Sequence, residues 1–523
     1  MQASISSHPT SSPSPGGCRP ERRRRTPPAH RRWTARNPIL AALILATALP
    51  GCATFRSYDA ELNQTLAMAA DGRVDAALKT LDANNKKDKK DLLYYLERGE
   101  LLRLKTDYHH SQSAWSRADA RVQEWERTAK TDPDKLLGTV GSYVISDRLR
   151  PYEGHDYEKV MLTTRMAMNF LGQGDFANAR VAIKQTHERE ALIAEVRARQ
   201  YAKVQEEAGK RDAAPPTFKE IDGYPVQEID NAEVNVLRNS YQSALSHYLA
   251  GFVYEALREP SLAAAGYRQA IELQPGVGLL EESLAGLDGR VAAPDDGLTD
   301  TLVVIESGLV PARRSQRFAL PIPVSGELVV VAVAFPVMQA RGEAFAPDEV
   351  RVDFGEPLRP VRITSVDAMA RRALQDEMPG IVLRSVVRST AKAVAQYQAQ
   401  RAAEQQAYRG ENTEAGLLGL AALALMVGTV ATEQADERGW RSLPAEVHMA
   451  RGKLPRGRRV LSLATPTGER SVEVDLSGRH AFIALRFLQG SLFTMPPQAP
   501  AEGGADGTTH SAALPTDATQ PNM

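Results

Sequence analysis

The sequence predicts an α+β multidomain chain: an all-helical first half built from repeats, then a β-rich half that carries a helical insert. Three observations predict it. Small and aromatic residues recur in the first half at a spacing of about 34 residues. After Gly278 the helical period gives way to short β-branched runs bounded by Gly and Pro. A chain of 523 residues also exceeds what one hydrophobic core usually holds.

The clearest repeat runs from Ser243 to Pro275. Gly251, Tyr254, Ala263, Tyr267, Ala270 and Pro275 fall there at the spacing of the tetratricopeptide signature. Small Gly251 and Ala263 allow two antiparallel helices to approach closely, and Tyr254 and Tyr267 fill the space around them. Pro275 ends the second helix. A second copy places Gly99, Ser111, Trp115 and Ala118 in the matching positions, and a third places Ala167, Phe176, Ala179 and Ile183. A fourth is centred on Ala77 and Leu81. The anchors Ala77, Ser111 and Ala179 are separated by about one and then two repeat lengths. The expected fold of residues 52–285 is therefore a tetratricopeptide-like superhelix. Two inserts interrupt it: one around Tyr143, Pro151, Tyr152, Gly154 and Asp156, the other a charged helix over about 186–210 that ends before Pro215 and Pro216.

Residues 298–490 carry eight or nine β-rich runs, among them TLVVIES, ELVVVAVAFPV, RVLSLAT and AFIALRF. A helical insert at about 366–438 separates them, with Leu383, Val386, Val387, Thr390, Val394 and Tyr397 in helical phase. This pattern predicts a β-sandwich-like domain. Residues 491–523, rich in Ala, Pro, Gly and Thr, are expected to be a disordered tail.

Residues 1–51 read as an address. The uncharged run PILAALILATALPG follows Arg31, Arg32 and Arg36, has the length of a signal peptide and is short for a membrane span. It ends in Leu49-Pro50-Gly51-Cys52, which resembles the lipobox of bacterial lipoproteins. That resemblance implies cleavage between Gly51 and Cys52 and a diacylglycerol on the Cys52 thiol. Ala53, in place of Asp, implies the outer membrane, facing the periplasm. The segments LRPYEGHDYEKVM, MNFLGQGDFANARV and TEQADERGWRSLPAEVHMARGKLPRG resemble an uncharacterised family of Gram-negative lipoproteins with this two-part layout. The resemblance implies a location and an architecture, and no reaction.

Composition excludes several classes. Lys and Arg number 64 and Asp and Glu 64, so no overall field attracts nucleic acid. The only cysteines are Cys18 and Cys52, which leaves the body without a disulfide or a Cys-based metal site. No Walker A loop, HExxH pair, G-x-S-x-G elbow or EF-hand loop occurs. No cofactor and no metal are expected. Gly172-Gln173-Gly174 follows a helix and not a strand, so it reads as an inter-helix turn and not as a dinucleotide loop. His109, His110 and His155 read as solvated histidines. The uncharged segment 416–432 reads as a helix buried against the β-rich half, with a membrane-inserted helix as the alternative, and Trp440 reads as a packing anchor.

Arg384, Arg388 and Lys392 recur every four residues as a basic ridge, open to contact with an anionic polymer or to plain solvation. The expected function is non-enzymatic: a lipid-anchored scaffold that meets a protein or peptide partner on its repeats, as an accessory to cell-wall or envelope assembly. Two alternatives stay open: an envelope-polymer hydrolase or glycan-processing enzyme using carboxylates of the second half, and a structural subunit of a secretion or envelope complex.

Overall fold

The structure, a computed structural model, describes residues 58–86, 90–133, 151–209, 217–324, 327–408 and 434–497. Gly51, Cys52, the segment 416–432 and the tail from 498 lie outside the described residues.

The helical part is made of paired helices: α1 (Tyr58–Ala70) with α2 (Val74–Asn84), α3 (Leu92–Leu104) with α4 (Tyr108–Thr131), and α5 (Asp156–Gly172) with α6 (Phe176–Gly209). The short α7 (Ala232–Asn235) precedes a fourth pair, α8 (Ala244–Ala256) and α9 (Pro260–Leu273), and then come α10 (Gly278–Ala285) and α11 (Leu287–Ala292). All four pairs turn in the same way. Gly72, Thr106, Gly174 and Arg258 each adopt a positive φ. The next residue donates its N–H five residues back: Arg73 to Met68, Asp107 to Leu102, Asp175 to Phe170 and Glu259 to Tyr254. Such a turn satisfies carbonyls that the end of a helix leaves without partners. Starts are marked too, since the Asp91 and Ser243 side chains accept from the backbone of Tyr94 and Ser246.

Inside the pairs, size matches size. A Cβ at Gly99 would lie 2.1 Å from the Trp115 indole, and one at Gly251 would lie 2.4 Å from the Tyr267 ring. Only glycine leaves room for these rings. Ser111 and Trp115 donate to the carbonyls of Gly99 and Leu96 at 2.7 and 3.1 Å. In the third pair the same two positions are Ala167 and Ile183, both buried with Ala179. Ala263 and Ala270 are buried, Tyr254 is nearly so, and Pro275 is exposed just beyond the end of α9.

The strands follow. β1 (Leu298–Ser307), β5 (Val361–Ser365), β6 (Glu446–Pro455), β9 (His480–Leu488) and β10 (Ser491–Met495) form one sheet in the order β10-β9-β1-β6-β5. In it β1 runs parallel to β9 and antiparallel to β6. β2 (Arg313–Val324) and β3 (Glu327–Met338) make a hairpin. β4 (Val350–Val352), β7 (Gly457–Thr465) and β8 (Gly468–Leu476) make a third sheet. The long α12 (Val366–Tyr408), with Pro379 inside it, packs on the β2–β3 hairpin.

β1 is buried along nearly its whole length because both of its faces are covered. Leu302 and Val304 join the hydrophobic cluster of the helices, whereas Val303 and Ile305 join Leu461, Leu463, Val472 and Val474 of the three-stranded sheet. The molecule is thus mixed α and β, with N-terminal helices followed by sheets. Between 285 and 298 the secondary structure changes while the packing continues, since one cluster contains both helical Leu245 and Leu249 and strand residues Leu302 and Phe482. Two expectations need correction. Residues 491–495, assigned to the tail, form β10, because Leu492 and Met495 pair against β9 and Met495 is buried. The charged helix over 186–210 is no separate insert but the continuation of α6, the second helix of the third pair.

Candidate functional site

A pocket of about 450 Å³ opens between the C-terminal part of α6, α12 near Pro379, the β2–β3 hairpin and two loops, 151–155 and 434–438. The loops are held by buried carboxylates. Glu158 accepts from the backbone N–H groups of His155 and Trp440 at 3.0 and 2.7 Å. Glu97 accepts from those of Arg441 and Ser442 at 2.8 and 3.2 Å. Burial raises the Glu97 carboxyl to about 7 despite these bonds. Trp440 is wholly buried, and its ring meets Trp115 edge to face at 6.1 Å.

The pocket wall is a charge network centred on Glu377 of α12. Arg313 donates to one Glu377 oxygen at 2.7 Å, His155 Nδ1 lies 3.1 Å from the other, and Arg197 lies 3.8 Å away. Burial alone would raise this carboxyl, but Arg313, His155 and Arg197 outweigh it and hold Glu377 well below the usual carboxylate range. Its neighbour Asp376 moves the other way, raised by burial against the opposing pull of Arg372 and Arg197. The second ring nitrogen of His155 faces the Arg438 carbonyl at 3.1 Å. Arg438 itself grips Asp436 with two bonds of 2.7 Å and lies 5.2 Å from the centre of the Tyr152 ring.

The basic ridge reaches the same place. Arg384 and Arg388 line the pocket; Arg388 is buried and Arg384 half-buried. Lys392 continues the row on α12, and its side chain lies outside the described residues. His155, read as solvated, is instead engaged at both ring nitrogens by Glu377 and a carbonyl, because α12 packs over the start of α5. His110 is solvent-facing, 2.9 Å from Asp107.

Among the described residues one trio has the separation of metal ligands, Glu255, Asp300 and His480. Arg451 donates to both carboxylates at 2.8 and 2.6 Å, and Arg290 donates to Glu255 at 2.6 Å. A metal ion would have to displace two fixed guanidinium groups, so the trio reads as an ion-pair network joining α8, α11, β1 and β6. No family model, curated protein or solved structure matches this chain. The site is therefore understood from its own geometry.

Sequence reasoning singled out Arg384 and Arg388 as a possible anion contact and His155 only as a solvated histidine; all three line the pocket. It missed Arg197, Arg313, Asp376, Glu377 and Arg438, which converge from four separate segments and carry no local signature.

Proposed function

We propose that this chain is a lipoprotein of the bacterial cell envelope, anchored through Cys52 in the outer membrane and facing the periplasm, that binds a partner without transforming it. The turn shared by the four helix pairs, and the glycine-to-ring packing inside two of them, support a tetratricopeptide-like scaffold. The packing of β1, β6 and β9 against the three-stranded sheet supports a sandwich-like second half.

The observation that carries the binding role is the pocket, walled by side chains from both halves and held by ion pairs. Such a wall is preorganised, so little ordering cost falls on binding. A photoreactive amino acid placed at Tyr201, an exposed pocket residue, should crosslink in cells to one stoichiometric partner. Absence of any adduct would remove the basis for this role. Anchoring is tested apart, by fatty-acid labelling, which Cys52→Ser should abolish.

A second reading is favoured by Asp376 and Glu377, adjacent pocket carboxylates shifted in opposite directions, as an acid and a carboxylate would be in a glycan-processing enzyme. Turnover of envelope glycan by the purified protein, lost in Asp376→Asn, would establish it in place of the first.

A further inference from the structure

We propose that the outer edge of β3 is an interface for a second copy of this chain, with β3 pairing antiparallel to β3 about a twofold axis at Val330. This surface is separate from the pocket.

The phase of the hairpin decides where its main-chain groups point. β2 and β3 pair without a bulge, so pairs that exchange hydrogen bonds alternate with pairs that do not. Ser315 and Pro336 form a pair of the second kind: the Ser315 N–H donates to Glu437 at 3.0 Å, and the Pro336 carbonyl accepts from the Tyr224 hydroxyl at 2.9 Å. Counting in twos along the ladder, Ala319 with Ala332, Pro321 with Val330 and Pro323 with Leu328 are of the same kind. Pro321 and Pro323 lack an N–H, which fits that phase. The N–H and C=O of Leu328, Val330 and Ala332 therefore point away from β2. Among the described residues no hydrogen bond reaches Val330 or Ala332 from that side.

The two edges of the hairpin differ. An edge strand invites pairing, and proline or a covering loop blocks it. β2 carries Pro321 and Pro323, and its Ser315 is held by the 434–438 loop through Glu437 and the Ala435 N–H. β3 has neither device from Leu328 to Phe335, where it reads LVVVAVAF. Val330 is 67% exposed and Ala332 is exposed as well. With Ala319 and Pro321 beside them they give the hairpin an apolar outer face, while Phe318, Leu320, Val333 and Phe335 of the inner face lie in the core.

Charge and register select the occupant. From Phe318 to Met338 the hairpin holds one charged residue, Glu327, so its edge suits an uncharged strand rich in β-branched residues, and β3 is such a strand. A twofold axis at Val330 sets Val330 opposite Val330 and Leu328 opposite Ala332, and each of these pairs would exchange two hydrogen bonds. Glu327 then stands opposite Val333, which leaves the two glutamates about 20 Å apart, well beyond the screening length of about 8 Å. No like charges meet. The contact is at the small end of specific interfaces, so the dimer is a weak one.

Detergent-solubilised full-length lipoprotein is followed by sedimentation velocity from about 1 µM to about 1 mM, the range over which a weak contact titrates. Conversion from monomer to dimer is expected. Val330→Lys sets two like charges face to face and should weaken dimerisation at least tenfold at an unchanged melting temperature. Ala319→Lys, also exposed and on the same face but on the blocked strand, should leave it unchanged. Val330→Pro removes only an outward N–H and should act as Val330→Lys does, which keeps the test open if lysine perturbs the hairpin. A short bismaleimide should join Val330→Cys into dimers faster than Ala332→Cys, because the Cα atoms of the first pair lie about 5.5 Å apart and those of the second about 14 Å. A chain that stays monomeric throughout would overturn the proposal, and so would a dimer that persists in both Val330 variants. Faster crosslinking at Ala332 would overturn the axis at Val330. A monomer whose Val330→Cys is captured in cells by another protein would give the edge to a different strand and overturn the pairing of copies.

Discussion

Two buried glutamates, each surrounded by arginines, show how similar chemistry serves different ends in this molecule. Glu306 of β1 accepts from Arg103 of α3 at 3.0 Å and from Arg165 of α5, which also binds Glu100, with Arg486 of β9 close by. The side chains of Glu306, Glu100, Arg103 and Arg165 are at most 1% exposed. Glu377 has a comparable set of cations, but its side chain is 17% exposed at the wall of a pocket. Placement decides the role. Where neither water nor ligand can reach, the ion pairs fix how the helices sit on the sheet; where a cavity adjoins them, the same pairs shape the wall of a pocket.

The largest expected effect follows from that difference. Glu306→Gln leaves Arg103, Arg165 and Arg486 with only Glu100 as counter-charge in a dry core, and breaking a buried pair in this way typically costs about 3–5 kcal/mol. Glu377→Gln disturbs a centre whose cations can recruit water from the pocket, so about 1–2 kcal/mol is expected. Urea denaturation of both variants measures the gap. Equal losses would mean that the Glu306 centre is as hydrated as the pocket.

Acid sharpens the comparison. Burial would raise Glu306, but Arg103, Arg165 and Arg486 outweigh it and lower its carboxyl from 4.5 to about 2. The folded value is the depressed one, so the stabilisation is fully present above about pH 4.5 and is lost as pH falls from there towards 2. Its size is on the order of 3 kcal/mol. Glu255 is also lowered to about 2, by Arg290 and Arg451 against its burial, and adds a loss of the same sign in the same window. Glu97 acts in the opposite sense. Raised to about 7, it contributes stability below about pH 4.5 that disappears as pH rises to 7. Stability followed by denaturant titration from pH 8 to pH 2 should therefore fall steeply only below pH 4.5, and a steep fall in Glu306→Gln equal to that of wild type would sever the link to Glu306.

Arg486 reverses the sign. It donates once, to the Ser442 carbonyl at 3.2 Å, while its Nε and Nη1 have no partner among the described residues. Burial lowers its guanidinium to about 10 in spite of Glu306 and Glu100, so the charged form is disfavoured in the fold. Arg486→Met keeps the volume and leaves two cations facing two carboxylates. A gain of about 1 kcal/mol is expected at pH 7. A loss of that size, read from the same urea curves, would show that the third cation is needed.

Much of this architecture was legible in the sequence and the charge centres were not, for a physical reason. The hairpins announce themselves because Gly99, Ser111, Trp115 and their counterparts recur at fixed spacing, and spacing along a helix becomes contact across a pair. Short β-rich runs bounded by Gly and Pro located the strands, and in β1 the consecutive apolar residues Leu302 to Ile305 accord with burial on both faces. Glu306 stands directly after that run and Arg165 inside the mostly apolar stretch from Met161 to Leu171, but their pairing crosses 141 positions and no local rule predicts it. The pocket is harder still. His155, Arg197, Arg313, Glu377 and Arg438 look like ordinary surface charges until α12 lies against α5 and α6.

A change that touches neither charge centre calibrates the others. Thr106 closes the turn between α3 and α4 at φ 59°, where Gly72 and Gly174 close the equivalent turns at 78° and 71°. A β-branched residue in the left-handed region is strained by about 1–2 kcal/mol, whereas glycine enters it freely and loses more chain entropy on folding, about 0.5–1 kcal/mol. The Thr106 hydroxyl donates to the exposed carbonyl of Lys105, which water can replace. Thr106→Gly should therefore stabilise the protein by about 0.5 kcal/mol, the smallest effect considered. It should do so equally at pH 7 and pH 4, because no titrating group is involved, whereas the effect of Glu306→Gln should shrink as the pH falls below 4.5. If the gain from Thr106→Gly itself varied with pH across that interval, the denatured state would be changing charge-dependent structure, and the acid losses assigned to Glu306 and Glu255 would have to be measured against it.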